Sequence, residues 1–228
     1  MNLNKLIQSL VKKIVQIEVS GKKVINGTII DLGSDMIVLF NGTDFVYIPL
    51  DHIQNLRVDH KNEYDIKYPT MIPSIRVKDN NEGLTLRKSL TQAKGMFVEI
   101  YVTSGQPLHG YITNIMNNYF VFYSPIYKTM YITLNHLKWL IPYSQNQFPY
   151  GLTDHHNFPV QPTDVSLATT FETQIEKFKN EIVVFNIGEN NNYIGKINNV
   201  EEKIVEIQTA RTQPVYLNLH HIKTIHQV

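Results

Sequence analysis

The chain contains no cysteine. Disulfides, thiolate nucleophiles and Cys-based zinc sites are therefore excluded, and cysteine usage leaves the compartment open. No run approaches the roughly 20 apolar residues that a membrane-spanning helix needs. The opening MNLNKLIQSLVKKIV is interrupted by lysines and lacks the unbroken apolar core of a signal peptide. A soluble protein made in the cytoplasm, outside the ordinary secretory route, is the expectation. Charge of one sign is lacking too. The net charge is +1, so no global field argues for nucleic acid or a membrane. No Gly-rich phosphate loop occurs, since GSD and GENNN read as turns. No serine sits in a nucleophile-elbow context and no carboxylate pair recurs. No catalytic residue, cofactor or metal is assigned, and the chain reads as a non-enzyme.

What is present is a repeat. YIPLDHIQNL at Tyr47, YITLNHLKWL at Tyr131 and YLNLHHIKTI at Tyr216 share an aromatic, a histidine five places on, and aliphatics at the sixth and ninth. Upstream lie NGTIID, HGYITN and IGKINN. Their glycines, Gly27, Gly110 and Gly195, are separated by 83 and 85 residues. The histidines, His52, His136 and His221, are separated by 84 and 85. Two independent landmarks with matching intervals indicate three copies of one unit.

Each copy reads as a short helix followed by five strands. LNKLIQSLVKKIV carries a helical apolar stripe, FETQIEKFKNEIV another, and LRKSLTQAKGMFV a weaker one. The strands alternate and are punctuated by turns such as Asn41–Gly42. A glycine inside the second strand marks a bend or a close backbone approach. The fold class is therefore mainly β. Three tandem five-stranded barrels, each with a short N-terminal helix, are expected, because closure removes exposed edges. The boundaries are 1–60, 89–143 and 170–228 for the units, with connectors 61–88 and 144–169.

The recurring histidines stand at strand-to-turn junctions, where a backbone-bonded role outweighs a metal or acid–base one. Asp31, Asn114 and Asn199 fit a turn-capping side chain. His220 and His221 are neighbours on opposite faces, and DHHNF at Asp154 has no spaced third ligand, so neither is read as a metal site.

The stretch IVQIEVSGKKVINGTIIDLGSDMIVLF, closing on YIPLDHIQNL, resembles the Sm-like fold. The shared features are an N-terminal helix, a bent second strand with glycine, a turn aspartate and a short last strand. It is more similar still to the short Sm-like or SH3-like barrel proteins of endospore-forming bacilli. That resemblance covers the three units and implies a structural, spore-coat-associated protein that assembles by protein–protein contacts. Sm-like units join through edge strands, so self-association into a homo-oligomer, or binding to other coat proteins, is what the likeness implies. RNA-binding Sm proteins place a base-reading Asn after the turn Asp. Here only Asn117 and Asn118 match that position, the third copy puts Glu201 and Glu202 there, and the family's Arg-Gly or Lys-Gly element is replaced by Asp51-His52, Asn135-His136 and His220-His221.

The charge is uneven. Residues 66–150 hold 8 Lys and Arg against 3 Asp and Glu, and 14 of the 24 aromatics. Basic and aromatic together suit either a protein interface facing acidic neighbours or a single-stranded nucleic-acid surface. Interface is the first reading, with Tyr111, Tyr119, Tyr123, Tyr127, Lys128, Lys138 and Trp139 as candidates. An RNA- or DNA-binding module using Asn117 and Asn118 is the alternative. The connectors carry Tyr64, Tyr68, Phe148, Tyr150 and Phe158, which argue that they dock rather than hang free.

Overall fold

The computed structural model describes residues 3–76, 83–103, 105–144, 147, 149–151, 166–187, 189, 193–211 and 213–227. The first copy contains helix α1 (Leu3–Ser9) and strands β1 (Ile14–Val19), β2 (Lys23–Leu32), β3 (Met36–Phe40), β4 (Phe45–Pro49) and β5 (Ile53–Val58). The second contains α2 (Leu86–Ala93), β6 (Phe97–Tyr101), β7 (Leu108–Ile115), β8 (Tyr119–Ser124), β9 (Lys128–Thr133) and β10 (Trp139–Pro142). The third contains α3 (Phe171–Glu176), β11 (Ile182–Phe185), β12 (Tyr193–Glu201), β13 (Ile204–Gln208), β14 (Val215–Asn218) and β15 (Thr224–Gln227). The protein is mainly β.

The chain divides into two compact units, and the division cuts the second copy. The first unit holds residues 1–100 and 138–147, and its strand order is β6-β10-β4-β3-β2-β1-β5. The second holds residues 101–137 and 148–228, in the order β14-β13-β12-β11-β15-β9-β8-β7. These are open antiparallel orders, and three self-closed barrels are not what the pairing describes. The edge of β4 is not covered by β5 of its own copy but by β10 of the next, with Leu140 opposite Tyr47. The edge of β9 is likewise covered by β15, with Ile225 opposite Tyr131. Exposed edges are removed by the neighbouring copy, which serves the same physical need as closure.

The recurring glycines explain the bend. A Cβ on Gly27 would lie 2.5 Å from the Phe40 carbonyl oxygen, one on Gly110 2.1 Å from that of Tyr123, and one on Gly195 2.7 Å from that of Gln208. Two residues further on, each strand carries a β-bulge, between Ile29 and Asp31, Ile112 and Asn114, and Ile197 and Asn199. Asp31, Asn114 and Asn199 thus stand beside bulges inside long strands, not at turns. The extra residue sharpens the local twist where glycine permits close contact.

Each unit has an apolar core. In the first it gathers Ile7, Val15, Ile17, Ile29, Ile37, Leu39 and Ile48. In the second, Phe171, Ile175 and Phe178 of the third copy pack with Tyr119, Val121 and Tyr131 of the second. The first connector docks through Ile66 and Ile75, 6% and 1% exposed, rather than through its rings, for Tyr64 and Tyr68 are 59% and 56% exposed. Phe148, Phe158 and the Asp154–His156 run lie outside the described residues.

Candidate functional site

The most detailed constructions in the molecule are the two places where one copy grips the next. In the first unit, the loop after β2 receives α2. Ser34 donates its backbone N–H to the Leu84 carbonyl at 3.0 Å, and Leu86 N–H donates to Asp35 Oδ1 at 2.9 Å. Ser89, fully buried, donates to Met36 Sδ at 3.1 Å. Tyr47 donates its hydroxyl to the Ile75 carbonyl at 2.9 Å, and burial pushes its pKa far up.

The second unit repeats this with other chemistry. Asn117 N–H donates to the Thr169 carbonyl at 3.1 Å, and Phe171 N–H donates to Asn118 Oδ1 at 2.8 Å. Asn118 Nδ2 donates to both oxygens of Glu172, at 3.2 and 3.0 Å. Tyr119, fully buried, donates to the Ala168 carbonyl at 2.7 Å and approaches Gln174 Oε1 at 3.1 Å. Desolvation raises its pKa to about 12. Tyr131 stacks edge-on against Phe178 with centroids 5.1 Å apart. Thr133 N–H donates to the Lys223 carbonyl at 3.1 Å beyond the end of the β9–β15 ladder.

Several sequence-derived candidates fall into these grips. The Asn118 side chain holds the first turn of α3, and Asn117 donates its backbone N–H to the residue before the helix N-cap. Tyr119 is part of the contact between copies and Tyr111 is 3% exposed, so neither is free surface. Tyr123 and Tyr127 are partly buried and Lys128 is exposed. Lys138 is 6% exposed, and Trp139 donates its indole N–H to Glu99 at 3.0 Å. Lys138 and Trp139 belong to the first unit and the other candidates to the second. The recurring histidines each end a 3-10 turn, Leu50–His52, Leu134–His136 and Leu219–His221. His52 Nδ1 lies 2.9 Å from Ser20 Oγ, His136 Nε2 lies 3.0 Å from the His220 carbonyl, and His221 is exposed beside the His220 ring. Among the described residues no three His, Asp or Glu side chains gather as a metal-holding group.

Sequence reasoning missed the surface at the outer end of the second unit. Strand β14 ends the strand order. An open hollow of about 790 Å³ beside it is lined by Asn199, Glu201, Glu202, Lys203, Ile204, Glu206 and Tyr216. Tyr216 is 66% exposed and Ile204 39%. The repeat carried the signal, since an aromatic at this position is buried in both other copies. A smaller hollow of about 390 Å³ in the first unit lies among Val24, Tyr64, Glu99 and Trp139.

A family model described as the YwrJ third domain matches residues 170–225, which run from the N-cap of α3 into β15. A protein of Bacillus subtilis (strain 168), described as Uncharacterized protein YwrJ, is 38% identical over 218 residues, covering 93% of this chain and 94% of that protein.

Proposed function

The chain belongs to the YwrJ family, and from that premise we propose that it is a non-enzymatic structural protein that assembles through its exposed strand edges. Each copy is read as a curled Sm-like or SH3-like sheet, a reading supported by the buried glycine, the bulge after it and the short last strand. The observation that carries the function is the repeated grip. The chain has used the same edge-to-edge contact twice internally, and β14 and β5 remain at the outer ends of the orders. The spore-coat location is part of this proposal and rests on the resemblance to the Sm-like or SH3-like barrel proteins of endospore-forming bacilli. No helix among the described residues is long and apolar enough to cross a membrane.

The test is made in sporulating Bacillus cells carrying a tagged chain. Recovery in the coat fraction, lost in a Tyr216→Asp variant that still folds, is the expected result. A chain that stays dispersed through sporulation, with the variant indistinguishable from it, overturns the reading. Nucleic-acid binding is the other outcome to watch. It would appear as retention on single-stranded oligonucleotides falling steeply with salt.

A further inference from the structure

We infer that the partner of the free edges is a second copy of this chain, joined head to tail with Tyr216 of one copy opposite Leu56 of the next. This rests on the assembly reading and supplies its partner and register.

At the internal grips, Met36 and Tyr119 are 0% exposed and meet Ser89 and Gln174, also 0% exposed. The equivalent of Met36 and Tyr119 in the third copy is Ile204, at the same 83- and 85-residue spacing as the glycines. The equivalent of Ser89 and Gln174 in the first copy is Leu6. Neither of these two meets a neighbouring copy among the described residues, and both are exposed, Ile204 at 39% and Leu6 at 36%. In the strands, Tyr47 and Tyr131 are 0% and 3% exposed and lie opposite Leu140 and Ile225, both 0% exposed. Their equivalents at the outer ends are Tyr216, 66% exposed, and Leu56, only partly buried. So at each of these four positions a residue that an internal grip buries is exposed or only partly buried at an outer end, and each has its counterpart at the other end.

The chemistry of the uncovered pairs fits. Where the internal contacts use Ser with Met or Gln with Tyr, the outer ends offer Leu6 and Ile204, two aliphatics that need no hydrogen bond. Tyr216 would lie over an aliphatic, as Tyr47 and Tyr131 do. A polar partner would leave these apolar groups unmatched, whereas a second copy covers all four. The contact is heterologous, so repetition yields a ring or a fibre according to its rotation.

The absence of cysteine makes the test clean. Leu56→Cys and Tyr216→Cys chains are purified separately, mixed while reduced, then oxidised. Opposed residues in an antiparallel pair lie within disulfide reach. A covalent dimer in the mixture, and none from either variant alone, is expected. Tyr216 is an exposed side chain, so its substitution leaves the core intact, and Tyr216→Asp should bring the particle mass by light scattering down to one chain. Cross-linking of Tyr216→Cys with itself would mean an isologous contact and overturn the inference. So would a wild-type chain that is monomeric at high concentration with no cross-link in the mixture. Should that chain still enter the spore coat in a Tyr216-dependent way, the inference fails while the assembly reading stands on another partner.

Discussion

At the scale of single residues, the recurring glycine is set by space. Gly110 offers the clearest case, because a Cβ would stand 2.1 Å from a backbone oxygen that pairing holds in place. Gly110→Ala is expected to destabilise the protein by about 1–3 kcal/mol, as overpacking does, read from the urea midpoint. His226 gives a pH prediction. It is 9% exposed, its Nδ1 has no hydrogen-bond partner, and its ring faces Tyr127. Burial lowers its pKa below the ordinary 6.5. The unfolded chain therefore binds the proton first as pH falls, and stability should drop from about pH 6.5 down through the folded pKa. His226→Leu should flatten that slope, measured by denaturation at several pH values. The recurring histidines were read from the sequence as standing at strand-to-turn junctions, and each ends a 3-10 turn, His52 beside Ser20 Oγ and His136 beside the His220 carbonyl. The buried His226 was not legible in the sequence, because it lies outside the repeat pattern and its burial depends on β9, a strand of another copy.

At the scale of elements, helices α2 and α3 are held more by the preceding copy than by themselves. Helix α3 has six residues, too few to be stable alone. Thr170 caps it by accepting from Thr173 N–H, and Asn118 accepts from Phe171 N–H. Asn118→Ala removes that acceptor and the bond to Glu172, and should cost about 1–2 kcal/mol. Amide exchange should quicken first at residues 171–174. A variant with unchanged exchange would show that packing of Phe171 and Ile175 alone fixes the helix. The element list was largely legible, since alternation and turn residues mark the strands and apolar periodicity marks the helices. Which strands pair between copies was not. Tyr47 with Leu140 and Tyr131 with Ile225 are contacts about 93 residues apart in sequence, and no local pattern encodes them. The same blindness sent Tyr119 to a surface in the sequence reading, when a later helix covers it.

At the scale of the whole molecule, a repeated edge contact makes folding stability depend on neighbours. The second copy has both its β4-type edge covered and its helix gripped, whereas the first has no grip on its helix and the third has no strand on the outer side of β14 among the described residues. If a second chain covers those ends, binding to the folded state adds stability that grows with concentration. A tenfold rise in concentration adds at most about 1.4 kcal/mol when the contact is near saturation. For domains of this size that corresponds to about 2–4 °C of Tm per kcal/mol. The wild-type Tm should therefore climb by a few degrees for each tenfold increase. Tyr216→Asp should melt at one temperature at all concentrations, matching the dilute wild type, because the side chain is exposed in the single chain and contributes little there. A concentration-independent wild-type Tm would place the stability of both units within one chain. A Tyr216→Asp protein that melts lower even at high dilution would assign the tyrosine to the core of its own copy, and the exposed aromatic would then no longer count as the mark of a missing neighbour.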